Sequence, residues 1–224
     1  MQLDSPNPSY MNIDLQIEVV ESQTLSVNER NNTISFCSEA FEEDLEALFN
    51  TFSQPTHIIG TKEGKLVSHA LWVTRLLQVD NDQLLCTAYI EAVATEKAYR
   101  GLGYASTIMK RIVEEIQAYE LGALSPFSVA YYETLGWEPW RGPLYIRTEA
   151  GLVRTPGEEA VMIFRLPKRR LRHRDSNYAV HGLEYEIRDF RHLPNRYPSR
   201  PIFNDCALGQ HLLQWFFHRP AQVD

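Results

Sequence analysis

An apolar, strand-like run, Tyr89-Ile90-Glu91-Ala92-Val93-Ala94-Thr95, leads through a short connection into Arg100-Gly101-Leu102-Gly103-Tyr104-Ala105, where an amphipathic pattern begins. Glycines at such a junction allow unusual dihedrals and close approach of the backbone to a ligand. The unsatisfied N–H groups of a helix start, with the helix dipole behind them, attract an anion, and a pyrophosphate suits that arrangement. The segment is not a Gly-Lys-Ser/Thr phosphate loop. GxGxxG is also absent, because Gly101 and Gly103 are followed by Ser106. For the glycines alone, an ordinary turn is the competing reading.

Glu91 interrupts the apolar run. A carboxylate there is costly unless it is ion-paired or used as an acid or base. His57 and His69 stand singly in strand-like stretches, with no second histidine four residues on. They are expected to be satisfied core or edge residues, and no metal site is expected. Cys37, Cys86 and Cys206 are odd in number and form no CxxC, against both a disulfide framework and a zinc finger. None lies in the glycine-bearing segment, so chemistry there would proceed by direct attack rather than through a covalent enzyme intermediate.

The elements that must position these groups follow from periodicity. Residues 1–12, with Pro6 and Pro8, read as a loose tail. Leu15 to Val19 alternates at strand period. Ser26 and Glu29 have capping-box spacing, opening a helix to about Phe41. Phe41, Leu45, Leu48 and Phe49 mark a second helix. His57-Ile58-Ile59 is a short strand. Leu66–Val79 and Leu84–Thr95 are long ones, joined by tight turns at 62–65 and 80–82, as antiparallel neighbours are. Ile108, Ile112, Val113 and Ile116 mark the helix after the glycine turn. Leu121–Leu124 suits a buried strand. Ser125-Pro126 suits a helix start, and Gly136 a left-handed helix end. Leu144–Thr148 and Ala160–Leu166 read as two strands around a turn at Gly151. The order is β-α-α-β-β-β-α-β-α-β-β, an α/β (α+β) fold with a mostly antiparallel sheet.

The whole chain has 224 residues, 44% of them hydrophobic and 23% charged, enough for a sizeable core without staples. No apolar run reaches the roughly 18 residues of a membrane span, and no secretory leader is evident at the start. A reducing, cytoplasmic setting is the expectation. Residues 1–167 carry 12 basic and 23 acidic residues, a net −11, whereas 168–224 carry 10 and 6, a net +4. An acidic body favours cationic partners and argues against duplex nucleic acid. The basic run 168–174 reads as a solvated linker, with a nuclear address or phosphate contact as alternatives.

With these residues in place, Arg100-x-x-Gly103-x-Ala105 after an apolar strand resembles the acetyl-CoA pyrophosphate motif of the GNAT N-acetyltransferases, whose element order is also the one above. Tyr89–Ala94, Leu121–Ser125, Gly136-Trp137-Glu138-Pro139-Trp140-Arg141-Gly142-Pro143 and Arg154-Thr155-Pro156 resemble, more narrowly, the aminoglycoside 2'-N-acetyltransferases. The resemblance covers about residues 15–167 and implies acetyl-CoA as cosubstrate. It implies that Ala92, Val93 and Ala94 pair with the pantetheine arm, with the Val93 N–H on the thioester oxygen. The amides of Arg100, Gly101, Leu102, Gly103, Tyr104 and Ala105 would hold the pyrophosphate. Glu91 would take the amine proton, directly or through water. Tyr132, five residues before Trp137, would protonate the leaving thiolate; a phenol serves as an acid at neutral pH because its ordinary pKa is about 10. Asp44, Ser125 and Glu158 or Glu159 fall where the family places polar contacts to a polycationic sugar.

The chain departs from that family in two places that border the amine pocket. Residues 168–224 form a basic, aromatic extension of unassigned role, within which 207–217 suits a short helix. The link from Ser125 to Tyr132 is short. The expected function is therefore acetyl transfer to a small cationic amine, an amino sugar or polyamine. A protein lysine or N-terminal acetyltransferase and a non-catalytic acyl-CoA-binding module are the alternatives. A homodimer is left open.

Overall fold

The structure is a computed structural model that describes residues 14–79, 84–148, 151–155, 160–167 and 183–186. Its framework is a sheet in which β1 (Gln16–Glu21) pairs antiparallel with β2 (Thr56–Lys62), and β2 with β3 (Lys65–Val79). Glu63 and Gly64 both take positive φ at the β2–β3 connection, 52° and 77°, which matches the right-handed twist of the strands it joins. β3 and β4 (Leu85–Thr95) form the long central hairpin. From β4 the sheet continues through β5 (Leu121–Leu124), β9 (Met162–Arg165) and β6 (Glu138–Pro139).

Between β1 and β2 lie α1 (Val27–Phe41) and the single turn α2 (Glu46–Phe49). The expected capping box is present: Ser26 accepts from the Glu29 amide, and the Glu29 carboxylate accepts from the Ser26 N–H at 2.8 Å. α1 and α2 cover one face of the sheet. There Ile34, Cys37, Leu45, Leu48 and Phe49 pack on Leu71, Val73, Tyr89 and Ala92. α3 (Tyr104–Glu115) and α4 (Val129–Glu133) cover the other face, where Ile108, Met109, Ile112, Tyr132 and Trp137 pack on Ala70, Trp72, Ala88 and Ile90. A helix on each face is what an almost wholly buried central pair of strands requires.

Two expectations change. The helix after β5 does not begin at Ser125-Pro126. It begins behind Ser128, whose hydroxyl accepts from the Tyr131 amide, and Gly136 follows with φ 85°. Residues 144–148 and 160–166 do not pair around Gly151. Leu144–Thr148 forms β7 and pairs with β8 (Gly151–Arg154), whereas β9 pairs with β5. Within the C-terminal extension, Leu183–Glu186 forms β10, lying between the second half of β3 and β7. The expected turn at 80–82, basic run 168–174 and helix 207–217 lie outside the described residues, as do Glu158 and Glu159.

Candidate active site

The site is built where β4 parts from β5. Their parallel pairing runs from Thr87↔Leu121 to Ile90↔Leu124, where β5 ends; β4 continues to Thr95. Glu91 is the first residue past the split. On its other edge β4 is irregular: Leu71 pairs with Glu91 and His69 with Ala94, so two residues, Ala92 and Val93, oppose one, Ala70. This is a β-bulge. Ala92 takes φ 50°, a left-handed conformation that costs an alanine about 1–3 kcal/mol and persists only where its surroundings impose it. The expected pantetheine segment, Ala92, Val93 and Ala94, is thus an irregular strand with no strand partner on its β5 side among the described residues. A linear ligand can add there as a strand would.

Beyond β4 the chain turns through Gly101 and Gly103, both left-handed at φ 77° and 83°, and Gly103 is the N-cap of α3. The first intrahelical donor bond is Thr107 N to Gly103 O at 3.0 Å. The amides ahead of it, Tyr104, Ala105 and Ser106, have no helical acceptor of their own. Arg100 differs from its neighbours. Its amide is directed at the Lys97 carbonyl at 3.4 Å. Its guanidinium donates to the carbonyls of Thr95 (3.2 Å) and Ala40 (2.8 Å), tying the loop to the end of β4 and the last turn of α1. Tyr104 is buried, so Leu102, nearly half exposed, is the loop's outward apolar residue.

Glu91 is 7% exposed and ion-paired with Arg75 at 2.8 Å. The Arg75 guanidinium lies over the Tyr89 ring, 4.1 Å from its centroid. Arg75 therefore spans from one β4 side chain to the next but one and compensates a carboxylate that burial would otherwise penalise. Arg75 was not anticipated from sequence. The signal was weak: a lone arginine in an apolar strand, like a lone glutamate, demands a partner.

Tyr132 is 2% exposed and belongs to the opposite face from Glu91, edge-on to Trp137 and Phe127. Its neighbour Tyr131 is half-buried, which pushes its phenol pKa up, and its hydroxyl is 3.1 Å from Ser106 in the first turn of α3. Ser125 lies at the open end of β5, within 3.5 Å of the Ala160 carbonyl. Asp44 is exposed, and its Oδ1 accepts from the Glu46 amide at the start of α2. It lines an open groove of about 660 Å³ between α1 and the 42–46 segment, with Glu39, Glu42, Glu43 and Glu46. Five carboxylates thus rim one groove. His57 and His69, expected as separate core residues, are buried and contact each other, His57 Nδ1 to His69 Nε2 at 3.0 Å.

Residues 22–140 match the family described as the acetyltransferase (GNAT) domain. An aminoglycoside 2'-N-acetyltransferase from Mycolicibacterium fortuitum is 35% identical over 153 residues, 66% of this chain and 77% of that one. The structure of the Escherichia coli GNAT family N-acetyltransferase YhbS in complex with CoA superposes with a TM-score of 0.54 at 17% identity, covering 83% of this chain and 94% of that one. A GCN5-related N-acetyltransferase from Anabaena variabilis is larger: at 20% identity and a TM-score of 0.49 it aligns to 57% of this chain, which spans 33% of its length. The chain belongs to the GNAT acetyltransferase family. It is an N-acetyltransferase that takes its acetyl group from acetyl-CoA.

Proposed function

We propose that the acceptor is a small, multiply cationic amine of the amino-sugar or polyamine class, acetylated by direct attack on the thioester at the β4–β5 split. The observation that carries this reading is the coincidence, within one stretch of β4, of the end of β5 pairing, the Ala92–Val93 bulge and the buried Glu91. The acidic groove at 39–46 lies on the Glu91 side of the sheet, and it suits a polycation. The 35% identical aminoglycoside acetyltransferase supports the amino-sugar class.

Acetyl-CoA supplies the activated acyl group; the chain's residues do the rest. The amides of Gly101 to Ala105, at the dipole-positive start of α3, hold the diphosphate. Ala92, Val93 and Ala94 offer their backbone to the pantetheine amides. The Val93 N–H donates to the thioester oxygen, where negative charge grows during attack. Glu91 accepts the proton of the incoming ammonium, directly or through one water, while Arg75 holds the carboxylate in place. Tyr132 gives its phenolic proton to the departing sulfur from the other face. Asp44, with Ser125 and Glu158 or Glu159, orients the cationic acceptor.

Thiol release from acetyl-CoA across a panel of aminoglycosides and linear polyamines tests the reading. Turnover should rise with the number of positive charges and fall with ionic strength. Turnover only with peptide lysines or protein N-termini overturns it.

A further inference from the structure

A chain of buried hydrogen bonds ends on the bulge. His57 and His69 are 2% and 0% exposed, their rings 5.3 Å apart and packed beside Phe49. His69 Nδ1 lies 3.1 Å from the Ala92 carbonyl, and His57 Nδ1 lies 3.0 Å from His69 Nε2. The Cys37 sulfur lies 3.3 Å from the same His69 Nδ1.

The directions in this chain follow from which ring nitrogen of His69 carries the proton. A carbonyl only accepts, so the 3.1 Å contact is a hydrogen bond when His69 carries its proton on Nδ1, with the Cys37 sulfur beside it as a second acceptor; a proton on Nε2 would instead leave Nδ1 to accept from the Cys37 thiol. Burial pushes His69 down to about 3 and His57 to about 4, so both rings are neutral near pH 7 and each has one N–H. His69 Nε2 is then a bare acceptor, and His57 must donate to it from Nδ1. His57 thereby selects the His69 tautomer that can reach the bulge.

The carbonyl it reaches is informative. The Ala92 C=O and the Val93 N–H belong to one peptide unit, which is planar, and no cis bond occurs among the described residues. In a trans unit the two groups point in opposite directions. His69 grips the carbonyl from the face covered by α1 and α2. The Val93 N–H is therefore turned towards the face of α3 and α4, against which the Val93 side chain also packs.

We infer that His69, held in its tautomer by His57, is a positioning residue for acetyl transfer: it pins the strained Ala92–Val93 peptide plane and so aims the Val93 N–H at the thioester oxygen. This rests on the oxyanion role proposed for that amide. A hydrogen bond to the carbonyl also polarises the peptide and makes its N–H a better donor.

The test uses the full-length enzyme, acetyl-CoA and the best acceptor of the panel. His69→Leu should lower kcat by about 10- to 100-fold, less than or equal to the loss of an oxyanion donor outright, with KM for acetyl-CoA changed no more than about threefold. His69→Asn, whose amide nitrogen can stand where Nδ1 stood, should recover most of kcat; His69→Gln, which mimics Nε2, should not. His57→Phe in the His69→Leu background should cost nothing further in kcat, since both act through one bond. Full kcat in His69→Leu overturns the inference, as does a loss shared equally by kcat and KM and not restored by Asn. Should His69→Leu not fold, nitrogen-15 NMR of the wild-type rings decides: a proton on His69 Nε2 overturns it.

A failure of the acetyl-transfer reading is distinguishable. If the wild type binds acetyl-CoA yet turns over no amine, that reading fails, and the Val93 amide signal still decides the positioning. Its response to exchanging CoA for acetyl-CoA should vanish in His69→Leu or His69→Gln and persist in His69→Asn if the bond to the Ala92 carbonyl aims it. An unchanged response in His69→Leu and His69→Gln overturns the inference.

Discussion

The Glu91 carboxylate lies 2.8 Å from the Arg75 guanidinium, both groups largely buried at 7% and 14% exposure. Each charge offsets the cost of burying the other, so the pair serves the fold whatever its part in the proposed chemistry. Structural and chemical roles separate in a double replacement. Glu91→Gln removes the carboxylate charge that Arg75 meets at 2.8 Å, and it should lower unfolding free energy by about 3–5 kcal/mol. Arg75→Met with Glu91→Gln removes both charges and should recover most of that loss in urea unfolding. If Glu91 is the proton acceptor, the stable double variant should still turn over at least about 100-fold more slowly than wild type. Recovery of turnover together with stability would assign the pair to the fold alone.

Gly103 tests the anion cradle. At φ 83° an alanine is strained by about 1–2 kcal/mol, and relaxing that strain rotates the amides that open α3. Calorimetry on Gly103→Ala should show CoA bound about tenfold more weakly, the affinity equivalent of about 1.4 kcal/mol. Gly64 is the control: it has φ 77° and open space around its Cβ position, but it sits in the β2–β3 turn. Gly64→Ala should cost similar stability and leave CoA affinity unchanged. Equal affinity in both variants would remove the loop from the cofactor site.

What could be read in the sequence was local. The Ser26–Glu29 capping box, the unusual dihedrals of Gly101 and Gly103, the left-handed Gly136 and the four buried residues of β5 all depend on neighbours within a few positions, and all are present. What escaped depends on strand register. Glu91 and Arg75 are 16 residues apart and His57 and His69 are 12, and each pair meets only because antiparallel strands set them on one face. The Ala92 bulge leaves no compositional mark, since alanine has no special left-handed preference. Ser125 and Ser128 are both sound N-caps, and only the length of β5's exit decides between them. β8 was hidden by Gly151, which punctuates a hairpin as readily as it ends one.

The neutral histidines make stability depend on pH. An unfolded chain binds protons at its histidines near the ordinary value of 6.5, whereas the folded chain resists until about 4 at His57 and about 3 at His69. The unfolded state therefore binds more protons below pH 6.5, so stability is full above neutrality and falls as acid is added through that window. Arg30 repels charge on His57, and His57 repels charge on His69; the Cys37 thiol, itself pushed up by burial, offers no counter-charge. Between pH 6.5 and 5, where exposed carboxylates stay ionised, His57 should account for about 1.5 kcal/mol of the loss, the slope rising from half of 1.36 kcal/mol per pH unit at pH 6.5 towards its full value. Urea titrations at the two pH values should show a smaller loss in His57→Phe than in wild type. The same slope in both would mean that the ring is already charged in the fold.

Two adjacent tyrosines on α4 carry separable expectations. Tyr132 packs in the α3–α4 core beside Trp137, and Tyr131 reaches Ser106 at the start of α3. As the proposed acid, Tyr132 acts only when the carbon–sulfur bond breaks. Tyr132→Phe keeps the ring packing and should lower kcat about 100-fold while leaving CoA affinity within about twofold of wild type. Tyr131→Phe loses one partly buried hydrogen bond worth about 1 kcal/mol. Because that bond braces the helix start, its effect should appear in CoA affinity and not in kcat. A thiol substrate series separates the two further. Replacing acetyl-CoA with a thioester of a more acidic thiol relieves the need for a proton at sulfur, so the defect of Tyr132→Phe should shrink and that of Tyr131→Phe should not. Equal defects across the series would transfer the acid role away from Tyr132.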